Sequence, residues 1–430
     1  MSWLCCTGLG LIAALYVLAG RWGFHRLGLA VNEEVDTNLV QELRLWIVLC
    51  GVLLASVGLL HRARREARPG EARFDPPLIA ALLGFLGYMG ASIAWTPDPL
   101  FSLTKVADLL LVGLMCVGFA LAALRQPAPR VLDAFWAAVV AATGLLALTA
   151  VKQLLGGGGS ARLAVMGGGP NILARLMGLL SIGALYFWYW RGQAWLWIPV
   201  AATGVVLALL TGSRGGSAAI VAGITTCLVV GRVPLRRLLL LLLLATVAIT
   251  AVTMFSPLGE ALSNSVQERF LRLTLNYETG AGGAGSTEGK VYLSGREILY
   301  ARALQLGKDN PVAGAGLAAF PALRLGVYPH NLFLEVFCEG GVVGLLLLAT
   351  VLATFMRSAF LRRRGLDGAT VGAAVLVLLG AQSSGDLYDS RSLFLLMVMA
   401  SVAAVPGRRP AHEGPPLPHA LPQPSFTGAV

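Results

Sequence analysis

The sequence predicts an all-α polytopic membrane protein with about twelve transmembrane helices, and three observations carry that expectation. First, 56% of its 430 residues are hydrophobic and only 13% are charged, with a mean hydropathy of +0.73. A soluble domain carries nearly twice that charged fraction. Second, the apolar residues come in blocks of about 20, the length that crosses the hydrocarbon core of a bilayer. Third, arginine falls on alternate connections between the blocks. Helices are expected because each one satisfies its own backbone hydrogen bonds in lipid.

In chain order, spans are expected near 3–20, 41–60, 76–95, 103–124, 129–151, 171–190, 194–211, 215–231, 235–255, 331–356, 367–382 and 388–405. The very short TGSRGG connection makes the pair 194–211 and 215–231 the least distinct. The first block has no basic segment before it, so it reads as a retained span and not as a cleaved leader. Placing the N-terminus in the cytoplasm puts the arginine-rich stretches 61–73, 231–237 and 357–365 on the inside. The short outer loops are poorer in Lys and Arg, as the positive-inside rule requires. Twelve spans also return the C-terminus, with Arg408 and Arg409, to the cytoplasm. The net charge of +11 therefore reads as topology and excludes a nucleic-acid partner.

Four regions follow: spans one to nine in 1–255, one large outer loop with short helices in 256–329, spans ten to twelve in 330–405, and a proline-rich tail in 406–430. The tail is expected to be disordered in the cytoplasm. Within the outer loop, TGAGGAGSTEG separates two helical patterns. Ser294 and Glu297 form a capping box, so the second helix should begin at Gly295. GKDNPVAGAG then breaks the chain again. A loop this long with its own helices is more often functional than a connector. The six cysteines all lie in hydrophobic runs, with no zinc-ligand spacing, so no disulfide framework or metal site is indicated.

The stretch VYPHNLFLEVFCEGG (327–341) puts His330 at the outer mouth of the tenth span. Imidazole is the side chain best suited to take a proton near neutral pH. Position alone slightly favours a plainer role, a histidine flanking a span at headgroup level. Asn331, Glu335 and Glu339 share one helix face at i, i+4, i+8, and the two glutamates fit packing or orientation. Arg214, in TGSRGGSAA, begins the eighth span. A guanidinium among small residues can approach a phosphate and bind it by paired hydrogen bonds. The alternative is a snorkelling arginine. Arg296 sits in the first turn after Ser294, where a cation opposes the helix dipole unless an anion is bound. Arg175, Lys105, Arg302 and Arg324 are further outer-side or intramembrane cations. Asp386 and Asp389, near Arg391, fit ion pairing or sugar contacts better than a metal. No nucleotide-binding glycine motif is present.

Four stretches together resemble the O-antigen ligase and polymerase family of bacterial inner-membrane proteins. They are SIAWTPDPLFSLTKVADLL (92–110), GGPNILARLM (168–177), TGSRGGSAA (211–219), and SGREILYARALQLGKDNPVAGAGLAAF with YPHNLFLEVFCEGGVVGLLLL within 294–348. The resemblance implies a glycosyltransferase of the GT-C type, working on the periplasmic face of the inner membrane without metal or cofactor. It implies inverting transfer of a glycan from undecaprenyl diphosphate to lipid A–core. Arg214 and Arg296 would hold the diphosphate and His330 would deprotonate or orient the acceptor hydroxyl, with Asn331, Arg175, Lys105 and Asp389 in support. An O-antigen polymerase or a protein O-oligosaccharyltransferase would share these motifs. A non-catalytic lipid-glycan transporter is the alternative from another class, and would spread cations through the membrane interior.

Overall fold

The computed structural model describes residues 2–19, 43–62, 75–123, 128–155, 163, 169–234, 236, 296–361, 368–387 and 389–402. The expected ninth span, the loop from 256 to 295 with its Ser294 cap, and the 406–430 tail lie outside these residues. The described residues form helices and no strand. In order they are α1 (Ser2–Leu18), α2 (Leu43–Arg62), α3 (Pro76–Ala91), α4 (Pro99–Ala123), α5 (Ala128–Leu155), α6 (Pro170–Leu185), α7 (Trp197–Leu210), α8 (Arg214–Val230), α9 (Arg296–Asp309), the single turn α10 (Ala319–Ala322), α11 (Leu332–Leu361), α12 (Gly368–Gly380) and α13 (Arg391–Val402).

Among the described residues, five segments are long and apolar enough to cross a membrane: Pro76–Trp95, Pro99–Ala123, Pro129–Leu154, Pro170–Trp190 and Leu332–Ala359. Several begin with proline, whose fixed φ suits a first helical position and whose missing N–H costs nothing there. The other apolar helices are shorter. Outward-facing leucines stay bare: Leu110 is 68% exposed and Leu148 67%. Such a surface suits hydrocarbon and not water.

Packing follows from small residues. α8 makes its most extensive contact with α12. A Cβ on Gly223 would lie 2.9 Å from Gly372 O, and one on Gly372 would lie 3.0 Å from Cys227 N, so both glycines are needed for this approach. At the end of α6 a π-helical turn, Tyr186–Trp190, gathers Trp136, Tyr186 and Trp190 into a stack. Tyr186 Oη donates to Asp133 Oδ1 at 2.7 Å, and Asp133 also pairs with Arg191 at 2.9 Å. An aromatic and charged rim of this kind marks a membrane–water boundary. It lies at the C-terminal end of α6; the residues of interest lie at the N-terminal end.

α11 is broken at Gly341, whose φ of 64° and ψ of −161° are not helical. The break receives the turn Asn310–Gly316. Ala315 N donates to Cys338 O at 2.9 Å and Gly316 N to Glu339 O at 3.0 Å, while Val342 N donates to Pro311 O at 2.9 Å. A Cβ on Gly341 would strike Val312 O and lie 2.5 Å from Gly314 N. Gly341→Ala therefore combines a left-handed backbone with a collision. It is expected to cost on the order of 2 kcal/mol, read as a lower thermal midpoint in detergent. On the other side, Thr96 and Ser102 each donate to Leu317 O at 2.7 Å. The stretches 92–110 and 296–320, remote in sequence, are thereby one structural unit.

Candidate active site

The connection from α12 to α13 gathers the candidate residues. Leu332 N donates to Ala381 O at 3.1 Å. Asn331 Nδ2 donates to Gln382 O at 3.3 Å, and Tyr300 Oη donates to the same carbonyl at 3.4 Å. Leu387 N donates to Glu335 Oε2 at 2.7 Å. Gly215, beside Arg214, abuts Ser383 so closely that a Cβ there would strike the hydroxyl. The N-terminal ends of α8, α9 and α11 thus meet around one short segment.

His330 precedes α11 in a left-handed conformation, φ 61°, which histidine tolerates better than most residues. Asn331 then caps the helix: its Oδ1 accepts from Leu334 N at 3.1 Å. Asn331 therefore has a structural role, fixing the helix start that aims its neighbour. The imidazole lies edge-on to Tyr328, with centroids 4.4 Å apart. Its Nδ1 is buried and accepts or donates no hydrogen bond. Burial lowers the His330 pKa from the ordinary histidine value, and the positive charge of Arg296 lowers it further. Asp389 and Asp386 oppose both effects. The lowering favours the neutral ring, the form that can accept a proton.

Arg296 is the first described residue of α9 and is half-buried. Its field reaches His330 and also Tyr300, where it opposes the upward push of burial on the phenol. Arg214 is the first residue of α8. Its predecessor Ser213 caps that helix, accepting from Gly216 N at 3.1 Å, and donates to Asn171 Oδ1 at 2.6 Å. The GGPN and TGSRGG stretches are joined there. Arg214 enters the assembly through the backbone of its neighbour Gly215.

Lys105 on α4 pairs with Glu335 Oε1 at 2.9 Å and with Glu339 Oε1 at 3.6 Å. Both glutamates are completely buried. The sequence assigned the glutamates to packing or orientation, and gave Lys105 as an outer-side or intramembrane cation that the resemblance places in support of the site. The structure makes the three a strut between α4, α11 and the α12–α13 connection. Removing the cation would leave two buried carboxylates facing each other, which costs on the order of 3 kcal/mol. Lys105→Met is expected to lower the thermal midpoint clearly. Glu335→Gln should do less, because its amide oxygen can still accept from Leu387 N.

Arg175, Asp389 and Arg391 form a second group. Arg391 approaches Asp389 at 3.8 Å, as the pairing reading of QSSGDLYDSR expects. Arg175 is in electrostatic reach of both, and of Tyr328. Tyr328, Tyr300 and Gln382 were not singled out by sequence. Tyr328 lies two residues before His330, but nothing in the pattern separated a ring partner from a loop residue. Among the described residues, no three His, Cys, Asp or Glu side chains group as metal ligands.

The arrangement supplies an imidazole, guanidiniums and a carboxylate at one end of a bundle of apolar helices. No curated protein matches the chain. Residues 199–349, about a third of the chain and the part that carries Arg214, Arg296 and His330, match the family model described as O-Antigen ligase, the family that the sequence resembles, and that family implies a ligase or polymerase type of function on lipid-linked glycans in a membrane.

Proposed function

We propose that the protein is an O-antigen ligase that moves a glycan from undecaprenyl diphosphate to lipid A–core, on the periplasmic face of a bacterial inner membrane. It has twelve spans of the GT-C type and both termini in the cytoplasm. The observation that carries the proposal is the half-buried His330, its pKa lowered by burial and by Arg296, held beside the α12–α13 connection that also seats the start of α8 next to Arg214.

In the proposed step, an acceptor sugar hydroxyl attacks the anomeric carbon of the donor. The new C–O bond forms as the bond to the diphosphate oxygen breaks, and the diphosphate leaves with the electron pair. The hydroxyl proton passes to the His330 imidazole. A single displacement inverts the anomeric configuration and needs no covalent nucleophile. Arg214 and Arg296 oppose the charge that grows on the leaving diphosphate, the role that a metal ion fills elsewhere. Paired N–H donors suit phosphate oxygens better than an ammonium does.

The test is reconstitution of the purified protein with undecaprenyl-diphosphate glycan and lipid A–core, resolved on a gel. Glycan-bearing lipid A is the expected product. Longer polyprenyl-linked chains without a lipid A product would make the protein a polymerase. No covalent product would remove the enzymatic reading.

A further inference from the structure

A base must aim one ring nitrogen at the hydroxyl whose proton it takes, and such a base is normally oriented by a third group. We propose that Tyr328 is that group: its ring, packed against the imidazole, fixes the direction in which His330 presents Nε2 to the acceptor sugar. The inference rests on the base role proposed for His330, and makes Tyr328 a positioning residue that acts through it.

The first support is what does not hold the imidazole. Its Nδ1 is buried and has no hydrogen-bond partner, so Nε2 is the nitrogen left to meet a hydroxyl. Asp386 and Asp389 act on the ring through their charge, but their printed geometry points elsewhere. Asp386 Oδ1 accepts from Asp389 N at 2.8 Å, and Asp389 Oδ1 faces Arg391 at 3.8 Å. The second support is contact. The Tyr328 and His330 rings meet at 62°, with centroids 4.4 Å apart. Aromatic quadrupoles favour this edge-to-face arrangement, which needs the Tyr328 ring and not its hydroxyl.

The third support is how the chain delivers that ring. Pro329, which is buried, disfavours a helical turn at Tyr328. His330 follows with its left-handed φ of 61°, so the two rings flank one tight bend. Upstream, Arg302 Nη1 donates to Leu325 O at 2.8 Å. A Cβ on Gly326 would lie 2.7 Å from Leu299 Cδ2 and 3.1 Å from Phe320 Cε1. Leu299 and Arg302 belong to α9, the helix that begins with Arg296. One element therefore carries a guanidinium for the leaving group and seats the segment that aims the base.

The test compares wild type, Tyr328→Phe, Tyr328→Leu and Tyr328→Met as full-length protein in lipid nanodiscs. One readout is the rate at which diethyl pyrocarbonate modifies His330, followed by peptide mass spectrometry on the alkaline side of the histidine range; it needs no substrate. The other is glycan transfer, with kcat and KM for the acceptor determined separately. Tyr328→Phe keeps the ring and should match wild type in both. Tyr328→Leu and Tyr328→Met keep apolar bulk and lose the ring; the second serves where the first does not fold. Each should release the imidazole, so that its modification speeds up severalfold. Each should lower kcat by about 10- to 100-fold, the cost of a misplaced reacting group, with KM nearly unchanged. A merely structural Tyr328 would lower the thermal midpoint and leave the modification rate of the folded protein as in wild type, which would overturn the proposal. A loss in Tyr328→Phe as large as in Tyr328→Leu would also overturn it, by giving the role to the hydroxyl. Faster modification in a protein that transfers no glycan would uphold Tyr328 as the holder of the imidazole and sink only the enzymatic reading.

Discussion

His330→Ala is expected to leave the helices formed and inserted while lowering glycan transfer by about 10²–10⁴-fold, the range a general base contributes. The side chain sits outside the helical ladder, and Asn331 supplies the cap of α11, so its loss should cost little stability. The wild-type pH profile carries a second signature. Proton acceptance needs the neutral ring, so the acid limb of kcat/KM should fall below the ordinary histidine value of 6.5. Activity should rise as the pH climbs through that lowered pKa and then level off toward neutrality. Asp389→Asn removes a charge that raises this pKa and should move the limb further down. A wild-type limb above the ordinary value would contradict the lowering of this pKa by burial and by Arg296.

Arg296→Ala is the other large effect. Removing one preorganised donor from a developing oxyanion costs about 10²–10³-fold in kcat. Its positive charge also lowers the His330 pKa, second only to burial, so the acid limb of the residual activity should move upward. A residue that merely stabilised α9 would lower activity without moving the limb. Arg214→Lys keeps the charge but loses the fork. It should lose roughly tenfold or more, since a charge-assisted hydrogen bond is worth about 1.5–3 kcal/mol. An Arg214→Lys variant with wild-type rates would return that residue to a snorkelling role.

The sequence made some features legible and hid others for physical reasons. Apolar blocks of bilayer length and proline at their starts are local signals, and helices stand at the expected segments that fall within the described residues. The break was legible at 307–316, though the helix runs on through Asp309, and its purpose was not legible. The turn at 310–316 fills the kink at Gly341, a partner that chain distance conceals. The same holds for Lys105 and Glu335, 230 positions apart. Each reads alone as a costly charge in a span, and only packing joins them. His330 stood out because it combined a helix mouth, an outer position and an adjacent long loop. Its buried Nδ1 and its Tyr328 neighbour follow from a left-handed backbone that no periodicity announces.

Among the described residues, charge placement supports the proposed enzyme over a transporter. A transporter of anionic lipid glycans would carry cations along the membrane interior. Lys105 and Arg175 sit only two turns into their spans, toward the end that holds His330. Lys105 is engaged by Glu335 and Glu339, so it serves as a strut and offers no path. The exposed leucines of α4 and α5 face outward.

The most direct test is a structure of the protein with a polyprenyl-diphosphate glycan bound, determined in a lipid nanodisc with the inactive His330→Ala variant. The account expects the diphosphate between the Arg214 and Arg296 guanidiniums, at about 2.7–2.9 Å, with the anomeric carbon facing the position vacated by the imidazole. A diphosphate seated at the aromatic rim of Tyr186–Trp190, or touching neither arginine, would contradict it.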